Sequence, residues 1–165
     1  MTMEFSGTAE LDANRETAWA YFTDPDVLAR CAPGCKSMTA KSSSELEATL
    51  SVGVGSVRPT FDVDIVITES QYPALLRMAA DGDASRNAFE TTAEMQLREA
   101  EDGTSVAEWT ASAEVSGLLA SLGQRALGSV TQRLVGSFFD DLEDEIQSGA
   151  PAESRLEAAE ASETV

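Results

Sequence analysis

Residues 86–115, RNAFETTAEMQLREAEDGTSVAEWTASAEV, decide how this chain folds. Phe89, Thr91, Ala93, Met95 and Leu97 fall on one side of a two-residue period, and Glu90, Glu94, Gln96 and Arg98 on the other. Asp102-Gly103 then gives a strong two-residue hairpin signal. Beyond it Ala107, Trp109, Ala111, Ala113 and Val115 alternate with Glu108, Thr110, Ser112 and Glu114. Successive strands with one apolar and one acidic face mark an antiparallel sheet that is dry on one side and wet on the other.

The same period extends upstream. In 45–54, Leu46, Ala48, Leu50, Val52 and Val54 share a face; in 57–68, Phe61, Val63, Ile65 and Ile67 oppose Asp62 and Asp64. Another strand is expected over 74–81, ended by a turn at Asp81-Gly82-Asp83, and shorter ones over 3–11 and 36–41. Two short helices fit between the first two strands. Asn14 caps Arg15 to Phe22, with Ala18, Trp19 and Phe22 on one face. Asp24 caps a second helix that begins at Pro25, reaches about Arg30, and sends Val27 and Leu28 inward. Ala32-Pro33-Gly34-Cys35 reads as a type II turn with Gly34 in the left-handed region.

Downstream, Leu119, Leu122, Ala126, Val130, Leu134, Phe138 and Leu142 recur at steps of three and four, predicting one long helix over 117–147. Gly123, Gly128 and Gly136 interrupt it, each costing about 1 kcal/mol relative to Ala. The order is a strand, two short helices, six strands and a long helix. That predicts an α+β fold of helix-grip type: a curved antiparallel sheet around a C-terminal helix, with an internal cavity between them. Residues 1–147 form the expected ligand-binding domain. Residues 148–165, rich in Ala, Glu and Ser and containing Pro151, read as a disordered acidic tail.

Composition narrows the function. The 165 residues carry 29 acids against 11 bases, a formal charge of −18. Nucleic acid is excluded as a partner, because phosphate binding needs clustered cations, and attachment to an anionic membrane by charge is disfavoured. Only Lys36 and Lys41 are lysines. Such an acidic, lysine-poor surface is expected of a halophilic protein, where screening removes self-repulsion. The absence of histidine removes Ser-His-Asp and Cys-His nucleophiles and most zinc sites. The first residues lack a secretory signal and no apolar run reaches membrane-spanning length, so a cytoplasmic protein is expected.

Few residues offer chemistry. Cys31 and Cys35 bracket the turn and lack the further ligands a metal would require. Asp62 with Asp64, and Glu90 with Glu94, lie on the expected solvent face. Arg77, Arg125 and Arg133 are expected in surface ion pairs. No catalytic residue, metal or covalent cofactor is expected. What remains is an apolar constellation: Trp19, Phe22, Phe61, Met78, Phe89, Met95, Trp109 and Phe138 all point to the sheet–helix interface. Leu28, Cys31, Pro33, Val63, Leu122, Ala126 and Val130 complete the expected ligand-binding lining. Periodicity does not separate a filled core from a hollow one.

Several segments together resemble the carbon monoxide dehydrogenase CoxG family of the polyketide cyclase/START-like (SRPBCC) superfamily. They are Phe5-Ser6-Gly7, Glu16-Thr17-Ala18-Trp19, Thr23-Asp24-Pro25-Asp26-Val27-Leu28, Cys31-Ala32-Pro33-Gly34-Cys35, Gly117-Leu118-Leu119-Ala120-Ser121-Leu122-Gly123-Gln124-Arg125 and Phe138-Phe139. The resemblance covers about residues 3–143. It implies a START/Bet v 1-like helix-grip fold and a non-enzymatic role beside a molybdenum carbon monoxide dehydrogenase or related hydroxylase. It also implies a quinone ligand, menaquinone or another, drawn from the membrane. Longer members carry an apolar C-terminal anchor; the acidic tail here leaves transient contact at the inner membrane face. The rival readings are an assembly or maturation factor for that enzyme and a small cyclase or hydrolase of the superfamily.

Overall fold

The computed structural model describes residues 1–54, 56 and 58–159. The chain forms β1 (Thr2–Leu11), α1 (Arg15–Phe22), α2 (Pro25–Cys31), β2 (Cys35–Ala40), β3 (Glu45–Ser51), β4 (Thr60–Gln71), β5 (Leu75–Ala84), β6 (Asn87–Glu99), β7 (Ser105–Gly117) and α3 (Gly123–Ser148). The seven strands make one antiparallel sheet in the order β1-β7-β6-β5-β4-β3-β2. The expected helix-grip arrangement is the fold observed.

Topology explains the curl. β1 and β2 are consecutive in the chain yet occupy opposite edges of the sheet. A flat seven-stranded sheet would hold them about 29 Å apart. The 15 residues of α1 and α2 span only about 22 Å. The edges must bend toward each other, and α1–α2 closes the gap. Local signals place these helices as expected. Asn14 Oδ1 accepts from the Thr17 amide at 2.8 Å. Asp24 Oδ1 accepts from the Asp26 amide at 2.9 Å, with Pro25 opening the helix. Gly34 has φ +74, and a Cβ there would lie 2.1 Å from the Ser51 carbonyl oxygen.

The structure corrects several boundaries. Asp81-Gly82-Asp83 is not a turn but the run of β5, which continues to Ala84. Gly82 is buried, and a Cβ on it would meet the Phe89 ring at 2.1 Å. The glycine is there for the ring packed over the strand, and the chain turns later, between Ala84 and Asn87. β3 ends at Ser51, short of Val54. The long helix starts at Gly123, after a 3₁₀ turn over Ala120–Leu122. That turn breaks the phase of a helix begun at residue 117. Leu127, Val130, Leu134, Phe138 and Leu142 face the sheet, while Leu122 is 38% exposed. A Cβ on Gly128 or Gly136 would meet nothing within 4 Å, so neither glycine serves a close approach.

Part of the segment expected to be disordered is instead laid against the domain. Residues 150–159 have no regular secondary structure, yet Leu156 is 2% exposed and Arg155 pairs with Asp24 and Asp26. One buried leucine and one arginine suffice to hold a polar segment down. Residues 160–165 lie outside the described residues.

The outer face of the sheet is acidic in a definite row. Glu47, Asp64, Asp81, Glu90 and Glu114 stand directly opposite one another across β3 to β7. Lys41 pairs with Glu47 and the N-terminal ammonium with Glu114, one at each end of the row.

Candidate functional site: an apolar cavity between sheet and helix

A cavity of about 560 Å³ lies between the inner face of the sheet and α3. It is within the range of small-molecule sites. Cross-strand register explains why it is hollow. Ala93 of β6 faces Ala111 of β7, and Thr91 faces Ala113. These side chains stop short of Val130, Thr131, Leu134 and Val135 on the helix, which form the opposite wall. Phe61 and Phe89, with ring centroids 5.1 Å apart in an edge-to-face contact, form one flank. Phe138 and Phe139, 5.3 Å apart, form another. Trp109 stands over Gly7 of β1, whose missing side chain leaves room for the indole.

Of the residues expected to line a ligand site, Phe22, Leu28, Phe61, Met78, Phe89, Met95, Trp109, Val130 and Phe138 do line the cavity. The other six lie elsewhere. Trp19 is 3% exposed and packs edge-on against Tyr72 at 5.8 Å, on the outer side of α1. Cys31 is buried at the end of α2, beside the acidic end of α3. Pro33 shapes the turn, and Val63 fills solid core. Leu122 and Ala126 point inward only if one helical phase runs unbroken from residue 117, and the 3₁₀ turn resets that phase. Sequence reasoning missed Met3, Phe5, Met38, Leu76, Leu127, Thr131 and Val135. Phe5 and Leu76 are available from strand alternation. Leu156 carries no signal at all: a lone leucine in an Ala/Glu/Ser segment.

Polar atoms in the lining are few. Thr91 Oγ1 donates to the Ser112 carbonyl at 2.8 Å. Glu94 turns its carboxylate to the outer face, accepting from Arg77 Nε at 2.7 Å and from Gln96 at 3.2 Å. The Thr131 hydroxyl and the Trp109 indole N–H make no hydrogen bond among the described residues. Both belong to the lining.

The titratable groups nearest this region are not poised for chemistry. Burial pushes the Cys31 thiol up to about 11, with the carboxylates of Glu145 and Asp141 adding to the effect. Burial also raises Cys35, against a hydrogen bond to the Ser37 carbonyl that lowers it. Both cysteines are free thiols. Tyr21 is raised by burial and by Glu145, and its hydroxyl donates to the Ala150 carbonyl. Asp24 behaves oppositely. Burial works against its charge, yet the Glu153 amide, the Arg155 guanidinium and the Asp26 amide together hold it below the usual carboxylate range. No group of three or more Cys, Asp or Glu side chains placed to hold a metal occurs among the described residues.

A second concavity, about 660 Å³, lies on the outer face of the same strands. Hydroxyls of Ser6, Thr92, Thr110 and Ser112 line it beside Arg77. Arg77 is already held by Glu69 at 2.5 Å and Glu94 at 2.7 Å. No uncompensated charge is left there to receive a ligand.

Known proteins agree with this architecture. The family model for the carbon monoxide dehydrogenase G-type subunit (CoxG) matches residues 7–147. A conserved protein from Geobacillus kaustophilus is 28% identical, with a TM-score of 0.85 over 92% of this chain and 99% of its own. A START superfamily protein from Mycobacterium smegmatis has a TM-score of 0.68 at 11% identity, covering 89% of this chain and 99% of its own. An aromatase/cyclase from a Streptomyces species has a TM-score of 0.69 at 12% identity, covering 92% and 98%. These last two likenesses are of fold. No curated protein matches.

Proposed function

The chain belongs to the carbon monoxide dehydrogenase CoxG family, and from that premise we propose that it is a carrier for an apolar, carbonyl-bearing small molecule of the quinone class. In this reading menaquinone is the first candidate, and the protein serves as an accessory to a molybdenum carbon monoxide dehydrogenase or related hydroxylase. The observation that carries the reading is the cavity: about 560 Å³, with aromatic and aliphatic walls, between two rigid elements. Burial at about 25 cal/mol per Å² drives binding of an apolar guest without any reaction. Two donors without partners among the described residues, Thr131 Oγ1 and Trp109 Nε1, supply the polar handles that a quinone carbonyl accepts from.

A cyclase or hydrolase on this fold needs a titratable group turned into the cavity. Glu94 is the ionisable residue of the lining, and its carboxylate is engaged by Arg77 on the other face. Transient membrane contact belongs to the carrier reading, since a quinone must be collected from lipid. No helix among the described residues is long and apolar enough to cross a membrane. Leu118 and Leu122, 46% and 38% exposed, stand on the β7–α3 connection at one end of the cavity. Arg86, whose carbonyl accepts from the Leu118 amide at 2.9 Å, adjoins them.

Titration with menaquinone, read by tryptophan fluorescence in a Trp19→Phe background, tests the reading. Trp109 is then the sole reporter. Saturable quenching that weakens in Thr131→Val is expected. No saturable response, together with no quinone in a lipid extract of the native protein, removes the carrier reading.

A further inference from the structure

Residues 150–159 cross the gap between the α1–α2 junction and the far ends of the β2–β3 hairpin and β4. The Glu153 amide donates to Asp24 Oδ2 at 3.0 Å, and the Arg155 amide donates to the Thr23 carbonyl at 2.9 Å. Thr23 Oγ1 lies 2.8 Å from Ser154 Oγ. On the opposite bank, the Glu157 amide donates to the Ser43 carbonyl at 2.8 Å, and the Ala158 amide to Ser70 Oγ at 2.9 Å. Between the two banks Leu156 drops into the protein. It is 2% exposed, lines the cavity, and shares an apolar cluster with Phe22, Leu46 and Ile67.

The segment differs in kind from the walls it joins. It has no strand ladder, and it is anchored by one leucine, one arginine and a few isolated hydrogen bonds. Elements held this way sit at the low-stability end of a fold and open locally without global unfolding. Its main latch is built to be released. Asp24 is 5% exposed and binds Arg155, but it also caps α2 through the Asp26 amide. When the segment leaves, the cap bond remains and water reaches the carboxylate, so no buried charge is orphaned. The strap also lies beyond residue 147, where the family match ends.

We propose that the groove formed by Thr23, Asp24, Asp26, Ser43 and Ser70 is a binding site for an extended Arg-Leu segment. Its occupant is the chain's own Arg155-Leu156, and the occupied groove closes the cavity at this end. Guests enter and leave when the strap lifts. This rests on the cavity being a ligand site.

The test uses the full chain and the neutral fluorophore N-phenyl-1-naphthylamine in stopped flow. Arg155→Ala removes the pairs to Asp24 and Asp26 and is expected to raise probe association and dissociation rates at least fivefold. Thr23→Cys with Ser154→Cys, in a Cys35→Ser background, locks the strap by a disulfide. Oxidation is expected to slow entry at least fivefold, with recovery on reduction; this comparison stands even if Arg155→Ala folds poorly. Saturable binding at rates equal within twofold in locked, unlocked and Arg155→Ala proteins overturns the gate and leaves the carrier reading intact. No probe binding by any form overturns both.

Discussion

The space between sheet and α3 is solid at one end and hollow in the middle, although the same alternation of apolar and acidic residues builds both. At the solid end Leu11, Ala18, Val27, Leu97, Ala107 and Leu142 are at most 2% exposed. There the short helices and the acidic end of α3 close on the sheet, tied by Arg30 to Glu145 at 2.6 Å. In the middle the sheet presents Ala93, Ala111, Ala113 and Thr91, and the helix presents Val130, Thr131 and Leu134. Both stretches are apolar; they differ in side-chain volume. Hydrophobicity decides which face turns inward, and volume decides whether the inside is full.

The largest effect should come from cutting into the solid end. Leu142→Ala removes a fully buried side chain and is expected to cost about 2–5 kcal/mol in urea unfolding. A loss below about 1 kcal/mol would place the solid end in the same class as the hollow one. Next, filling the hollow should spare stability and abolish binding. Ala111→Leu is expected to keep the unfolding midpoint close to the parent while weakening an apolar probe at least tenfold, about 1.4 kcal/mol. Destabilisation comparable to Leu142→Ala would mean that the hollow closes up in solution.

A smaller effect tests the outside of the same strands. Like charges directly opposite one another destabilise a sheet, and Asp81 stands between Asp64 and Glu90. Asp81→Asn is expected to stabilise the fold by about 0.2–1 kcal/mol at low salt. The gain should vanish in about 1 M KCl, where the screening length is about 3 Å. A gain independent of salt would argue against halophilic adaptation in this row. The last test is of reactivity. Cys31, pushed up to about 11 by burial and its acidic neighbours, should resist alkylation at about pH 8 in the folded protein. Rapid modification of Cys31 there would show that the solid end breathes.

Much of this is legible in the sequence. Period-two alternation marks the inner and outer faces of β3, β4, β6 and β7, and the capping residues Asn14 and Asp24 place α1 and α2 almost to the residue. The departures have physical causes. Asp81-Gly82-Asp83 looks like a turn because glycine between aspartates usually is one; here it admits the ring of its cross-strand partner Phe89. Leu122 and Ala126 fall inward only when one helical phase is extended across a 3₁₀ turn that periodicity does not reveal. Trp19 matches the pattern of a lining residue but sits behind the layer that forms the wall. The docking of Leu156 depends on a groove assembled from α1, β2, β3 and β4, which no local pattern encodes.

The size of the chamber turns on a single hydrogen atom. Because position 82 carries nothing larger, the benzene plane of Phe89 lies against β5 and stays out of the middle of the void. Any bulk there would swing that plane inward, toward Phe61, and shorten the room available to a guest. A change two strands away from α3, in what looks like the plainest part of the sheet, would thus reset which molecules fit.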